Sequence, residues 1–471
     1  MKLYAAPLNF RGIAEEFDVP TDFPAELHAE AAAATDRCAG QRRDVRDLQL
    51  VTIDPVGSMD LDQAVHIERR DGGYRVHYAI ADVAAFIAPG SALEAESLRR
   101  GQTIYLPDEP ARLHPEELSE GSASLLPGVD RPAVLWTFDL DSAGEVEHFH
   151  VERVLARSYA RLDYDAVHED YLAGRMHPSI ELLPEVGQLR EVSGLRRRAI
   201  NLRLPSQRVR SLDDGTYELI VEPRHEVMDW NSEISLLTGM CAGVLMVNHG
   251  TGLLRTLGPA TKEAEDIFRA EARALGYDLD DDREIGEFLQ SVDATDARGM
   301  AIMREAQKLL RGSGYVNLAT GEAEVHSGIG GYYSHVTAPL RRLIDRFATE
   351  YCLSICAGTE VPDWVTARAD EVVEVMQRTS SLANSVDRAS LDLTEATVLA
   401  PWVGHNFDAV ILTSDAERNR ARIFVSDPPV LADAVGSPAQ GTTTRVSLVR
   451  ADVETRDVTF AWPADYPPSN I

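Results

Sequence analysis

A chain of 471 residues with 44% apolar and 26% charged residues has the composition of a folded protein, long enough for about three units at roughly 150 residues each, and excludes a disordered chain. Its 46 Lys and Arg against 76 Asp and Glu leave a formal charge of −30. Such a field repels polyanions at range, which excludes a generally basic surface as a means of holding nucleic acid and leaves only positive charge concentrated in a channel. Almost all of that positive charge is arginine, since the lysines are Lys2, Lys262 and Lys308 alone, and the guanidinium fork suits phosphate. Cys38, Cys241, Cys352 and Cys356 lack CxxC spacing and read as free thiols. No stretch approaches the roughly 20 apolar residues of a membrane span, and the first twenty residues lack an apolar core of signal length. The expected location is reducing and cytoplasmic, with no membrane association and no obligate protein partner evident.

Residues 21–39, rich in alanine, read as a helix. Strand-formers Leu48, Leu50, Val51 and Ile53 lead into "TIDPVGSMDLDQAV", and "YRVHYAIADVAAFIAPGS" reads as a buried strand ending at Pro89-Gly90. Prolines, glycines and serines over 101–130 predict a long irregular connection draped over the body. Strand pattern returns at 133–160, and helices are expected at 181–201, 231–247, 262–276, 297–310 and 340–357. After about residue 400, "FDAVILTSD", "RARIFVS" and "TRVSLVRADVETRDVTFAW" are short strand-like runs compatible with a small antiparallel barrel. The chain thus divides into a short helical N-terminal segment (1–45), a mixed body (46–400) and a β module (401–471).

Three acids close in sequence repel one another unless a cation or basic partner offsets them. Strand alternation puts Asp60 and Asp62 on one side, and Asp54 can return from the far end of the Pro-Val-Gly-Ser turn. Converging carboxylates make a site for a hard divalent cation such as magnesium; taken alone, the pattern equally describes a solvated acidic loop.

The pattern does not stand alone. "RRDVRDLQLVTIDPVGSMDLDQAVHI" and "VHYAIADVAAFIAPGS" are followed in order by "YLPDEPARLHPEELSEGSASLLPGVDRP", "ARLDYDAV", "NSEISLLTGMCAGVLM" and "HSGIGGYYSHVTAPLRRLID". Together these blocks resemble the ribonuclease II and ribonuclease R family of 3'-to-5' exoribonucleases over roughly residues 22–390. The resemblance implies an α+β catalytic body of RNB type with a C-terminal OB-fold barrel that binds RNA. It makes Asp54, Asp60 and Asp62 the magnesium-binding and catalytic acids of a two-metal site, with ions about 3.5–4 Å apart. A fourth aspartate usually follows the third; here Gln63 stands in its place, an amide that can ligate magnesium but brings no charge. Arg341 falls on the catalytic arginine, suited to meet charge on the scissile phosphate, and Arg342 on a helper at the RNA backbone. Tyr164 and Glu233 match residues that position the terminal nucleotides, Glu233 by accepting from a ribose 2'-hydroxyl. Tyr105 matches a base-stacking aromatic whose usual partner is replaced by Leu202. His326 and His335 are expected to order the loop that presents Arg341.

Family members usually carry two cold-shock-type domains before the body; some 45 residues that read as helix precede the acids here, so a more open RNA entrance is expected. The positive path for single-stranded RNA is expected along Arg341, Arg342, Arg346, Arg420, Arg422 and Arg445. The function implied is magnesium-dependent hydrolysis of RNA from its 3' end to nucleoside 5'-monophosphates. A silent RNA-binding relative, with Gln63 and Leu202 as signs of decay, is the second reading, and an acidic cation-binding scaffold the third.

Overall fold

The computed structural model describes residues 4–5, 9–200, 202, 207–211, 217–221, 224–294, 296–427 and 429–464. Six strands organise the first half: β1 (Arg43–Asp44), β2 (Leu50–Asp54), β3 (Gln63–Arg70), β4 (Gly73–Ala81), β5 (Asp130–Asp141) and β6 (Val146–Asp163). They hydrogen-bond in the order β1-β6-β2-β3-β4-β5. Period-two alternation gives the sheet two buried faces. Tyr74, Val76, Tyr78 and Ile80 of β4 and Val134, Trp136, Phe138 and Leu140 of β5 enter one cluster. Ala79, Ala81, Ala133 and Leu135 enter another.

The 18-residue β6 decides where the site falls. It pairs antiparallel with β5 from Leu140↔Val146 to Asp130↔Arg157, then parallel with β2 from Leu50↔Ser158 to Asp54↔Asp163. The sheet therefore returns on itself, and Asp54 ends up beside Asp163.

Nine helices carry the rest of the argument: α1 (Ala25–Ala33), α2 (Ala92–Arg100), α3 (Tyr164–Leu172), α4 (Leu183–Arg196), α5 (Glu226–His249), α6 (Lys262–Ala274), α7 (Ala297–Ala306), α8 (Leu343–Ala357) and α9 (Ala369–Leu399). Helices α5 and α8 cover the first face, where Trp230, Ile234, Leu237, Leu343 and Phe347 pack with the sheet aromatics. Asp163 caps α3 by accepting from the Ala166 amide. Two short strands, β7 (Leu253–Thr256) and β8 (Gly314–Asn317), pair with each other.

The C-terminal strands β9 (Asn406–Asp415), β10 (Arg420–Ser426), β11 (Pro429–Val435), β12 (Thr443–Asp452) and β13 (Asp457–Ala461) close into a barrel in the order β9-β10-β11-β13-β12. The expected fold class, a mixed body with a C-terminal β-barrel, is what the chain adopts. Phe407 and Phe460 fill the barrel, whereas Leu412 and Phe424 join the helical cluster of Phe268, Phe288 and Met303. The barrel thereby shares a core with α6 and α7.

Three expectations change. Helix α1 starts only after Pro24, its N-cap, because proline cannot sit in a helix interior. The strand expected to run to Pro89-Gly90 stops at Ala81; Asp82 turns inward to accept from Arg42 and Arg153. The 31-residue α9 was not singled out from sequence, although Val372, Val375, Met376, Thr379 and Val386 recur at helical spacing and are buried.

Candidate active site

The acidic loop is built from its flanks. Asp54 closes β2, and the chain turns with Ser58 N donating to Pro55 O at 3.1 Å through Gly57 at φ 88°, a conformation that suits glycine. Residues 59–62 lead into β3, and Asp62 O accepts from Ala81 N of β4 at 2.9 Å. Ser124 Oγ donates to Met59 O at 2.6 Å and accepts from Leu61 N at 3.0 Å, while Leu125 N donates to Leu61 O at 3.0 Å. The segment expected to drape irregularly over the body is thus what pins this loop. With Leu61 fully buried, Asp60 and Asp62 fall on the opposite side of the extended chain.

Asp62 is 5% exposed. Its Oδ1 accepts from Leu340 N at 2.8 Å, and its Oδ2 lies 3.8 Å from Arg341 Nε. The arginine comes from a turn held at both ends. Ala338 N donates to Asp345 Oδ1 at 2.6 Å, and Arg341 O accepts from Thr103 N at 2.9 Å. Gly101, at φ 70°, lets the chain ahead of Thr103 pass close to α9, since a Cβ there would meet Thr379 Oγ1 at 2.6 Å.

Burial raises all three carboxyl groups above the usual carboxylate range. Asp54 is pushed up to about 7 by burial and then by the charge of Asp60; Asp60 is raised chiefly by burial; Asp62 stands well above its ordinary value for the same reason. Arg341 pulls against the shift at each of them. The cleft therefore holds three neighbouring acids with too little positive charge to neutralise them.

Among the described residues no three or more His, Cys, Asp or Glu side chains converge as a metal group. The donors at hand, carboxylate oxygens under mutual repulsion, nevertheless have the chemistry a hard divalent cation needs, and in that sense Asp54, Asp60 and Asp62 fit one. Gln63 is hydrogen-bonded within the protein. Its Oε1 accepts from Tyr78 OH at 2.6 Å and its Nε2 donates to Thr337 O at 2.7 Å, so both ends of the amide are committed to the protein.

Tyr164 opens α3 directly after Asp163 and accepts from Asn231 Nδ2 at 3.0 Å; the charges of Asp54 and Arg341 both act on its hydroxyl. Tyr105 is 53% exposed and lines a cavity of about 370 Å³ with Arg341, Arg342, Arg255, Tyr315 and His335. Leu202 is not a partner for it, because Leu202 packs against the Phe268 cluster.

Glu233 is buried, but away from the acids. Asn231 and Ser235, one turn apart on α5, reach Tyr164 and Tyr78. Glu233 lies on the other face, lining a separate cavity of about 220 Å³ with Arg197, Gln290 and Ile329. Burial pushes its carboxyl up to about 7.

Arg342 lines the larger cavity, yet its Nε and Nη2 both bind Asp345 at 3.0 Å. Arg346 is 1% exposed and paired with Glu94 at 3.0 Å, so it offers nothing to a nucleic acid. His335 is half-buried, its Nδ1 3.2 Å from Tyr315 OH, and desolvation holds it well below the usual histidine range. His326 is pushed down to about 4, again by burial. His335 thus lines the cavity beside Arg341 as a neutral ring. Sequence reasoning missed Ser124, Tyr78, Asn231 and the Thr337 carbonyl, all of which act through contacts remote in sequence.

An acidic loop at the end of a sheet, faced by an arginine-bearing turn, on a body that shares its core with a small closed barrel, is the architecture of RNB-type proteins. The chain belongs to that family: the RNB domain model matches residues 42–351, and that of the RNase II-type exonuclease C-terminal S1 domain matches 405–462. Ribonuclease R of Chlamydia trachomatis is 24% identical over 441 residues, covering 88% of this chain and 61% of its own; the chain thus spans about three fifths of that relative. Mycoplasma genitalium RNase R in complex with ribose methylated single-stranded RNA superposes with a TM-score of 0.84 at 16% identity, over 96% of this chain and 77% of that one. Yeast Ssd1, a pseudonuclease, superposes with a TM-score of 0.64 at 15% identity, over 91% and 51%. No described helix is long and apolar enough to cross a membrane.

Proposed function

We propose that this chain is a magnesium-dependent exoribonuclease that hydrolyses single-stranded RNA from the 3' end and releases nucleoside 5'-monophosphates. The observation that carries the reading is the opposition of Asp62 and Arg341, set 3.8 Å apart by independent elements, next to the half-buried Asp54 and Asp60. Family membership and the RNA held by the Mycoplasma relative support it.

The chemistry is an in-line displacement in which water attacks the last phosphodiester phosphorus and the 3'-oxygen of the penultimate nucleotide leaves. Asp54, Asp60 and Asp62 would hold magnesium, which when bound supplies a more acidic water and neutralises charge on the leaving oxygen. Arg341 meets the negative charge growing on the non-bridging oxygens. The Leu340 amide fixes the Asp62 carboxylate so that it need not reorganise during the step. Tyr105 offers a stacking face for a base beside the cleft, and Tyr164, anchored by Asn231, borders the terminal nucleotide.

Asp54, Asp60, Asp62 and Arg341 are all present, which favours an enzyme over a silent relative, because acids so short of positive charge cost stability. End-labelled RNA incubated with magnesium and then with a chelator tests the reading. A 5'-labelled strand should shorten stepwise, and a 3'-labelled one should release labelled monophosphate, in magnesium only. Intact RNA under both conditions, with binding retained, would support the silent relative instead.

A further inference from the structure

Gln63 stands where the resemblance places a fourth acid, and the structure uses it for something an acid cannot do. Ser235 Oγ lies 2.7 Å from Tyr78 OH, Tyr78 OH donates to Gln63 Oε1 at 2.6 Å, and Gln63 Nε2 donates to Thr337 O at 2.7 Å. With one proton per hydroxyl, these contacts form a chain of single direction, from Ser235 through Tyr78 and Gln63 to Thr337. It runs from α5, across the fully buried Tyr78, to the turn that carries Leu340 N and Arg341. A side chain at residue 63 must both accept and donate. A carboxylate accepts only, and would set a negative charge against the Thr337 carbonyl.

The neighbouring residue holds the same turn from a second point, since Asp62 Oδ1 accepts from Leu340 N at 2.8 Å. Two consecutive residues thus grip residues 337–340, one through a charged acceptor and one through a neutral donor. We infer that Gln63 is a positioning residue that fixes Arg341 against Asp62 through the Tyr78–Gln63–Thr337 chain, and that it is not a ligand of the divalent cation. The inference rests on the proposed hydrolytic site for its consequence in catalysis, but its geometry can be tested without hydrolysis.

Tyr78→Phe removes one hydroxyl and keeps the buried ring, and Gln63→Leu removes the amide. Hydrogen exchange on the full chain should show the Ala338, Leu340 and Arg341 amides opening at least fivefold faster in both variants, with no further gain in the double variant. Manganese titrated into the metal-free protein should bind Gln63→Leu within twofold of the parent, while Asp54→Asn loses tenfold or more. On a short RNA, both chain variants should lose about tenfold in kcat with KM unchanged, and Gln63→Asp should share the loss. Unchanged exchange at 338–341, or a manganese affinity that falls in Gln63→Leu as it does in Asp54→Asn, overturns the inference. Should the parent protein leave RNA intact, the proposed function fails, while the exchange measurement still decides the role of Gln63.

Discussion

The Arg42 cluster and the Asp54–Asp62 loop lie against the same sheet, and both bury aspartates. Around Arg42 every acid meets a base. Arg42 Nε reaches Asp36 at 2.6 Å and its Nη2 reaches Asp82 at 2.8 Å, Arg153 Nε reaches Asp82 at 3.0 Å, and Arg153 also pairs with Glu350. Burial works against the Asp36 carboxylate, yet the hydrogen bonds from Arg42 and the Cys38 amide hold it below its usual range. In the Asp54–Asp62 loop the nearest guanidinium stops at 3.8 Å and all three acids are raised. A fold can stabilise buried charge by pairing it or leave it costly. Where the cost of negative charge is left standing beside a cavity, the arrangement suits an external cation.

The largest effect expected of breaking this contrast is catalytic. Asp62→Asn should lower the hydrolysis rate by roughly 10² or more, with RNA affinity within a few-fold, because the carboxylate acts mainly in the transition state. Arg341→Ala should lower turnover more than affinity. Single-turnover kinetics beside equilibrium binding check both, and a variant within a few-fold of the parent removes Asp62 from the chemistry.

In the paired region the effect is on stability. Arg42→Ala leaves Asp36 and Asp82 short of a buried partner, a change that costs about 3–5 kcal/mol, read as a lowered urea midpoint. Asp54→Asn should do the reverse. A carboxyl at about 7 in the folded state and near 4 in the unfolded chain binds its proton more tightly when folded. Stability is therefore lost as pH rises from about 4 through 7 and stays low above that. With a chelator present, Asp54→Asn should be more stable than the parent at pH 8, by on the order of 2 kcal/mol, and about equal at pH 4. Equal stability at both values would mean that Asp54 is not strained.

The acids stand out in the sequence because they share one short block, whereas Arg341 is marked only by the matching stretch that precedes it. The barrel was legible because turn residues separate its strands. What failed is long-range. Residues 63 and 337 are 274 apart, so nothing near Gln63 announces the Thr337 carbonyl. Arg346 looks like a free cation in "LRRLIDR" until packing supplies Glu94, whereas the partner of Arg342, Asp345, lies in the same stretch three residues on. Glu233 shares α5 with Asn231 and Ser235, and only the helix's orientation reveals that it faces away from them.

The same packing leaves few cations to hold RNA, and the smallest expected effect concerns them. With a charge of −30, affinity depends on a local path, from which Arg346 is removed by burial. Arg422 is engaged by Asp433 at 3.2 Å and Arg445 lies 3.9 Å from Asp408. Arg420 is exposed on β10 and borders a cleft of about 670 Å³ between the barrel and α9, together with Arg388 and Arg450. Deleting the barrel to test this path would expose the core it shares through Leu412 and Phe424, so single substitutions are the cleaner probe. Each phosphate contact contributes about 0.7 to the salt slope for a single strand. Arg420→Gln should therefore flatten the slope for a long strand by about 0.7 and leave cleavage of a short oligonucleotide unchanged. Arg445→Gln should change the slope less, since Asp408 already screens it. If both variants alter short and long RNA alike, the barrel arginines serve the fold, and the RNA path lies elsewhere on the body.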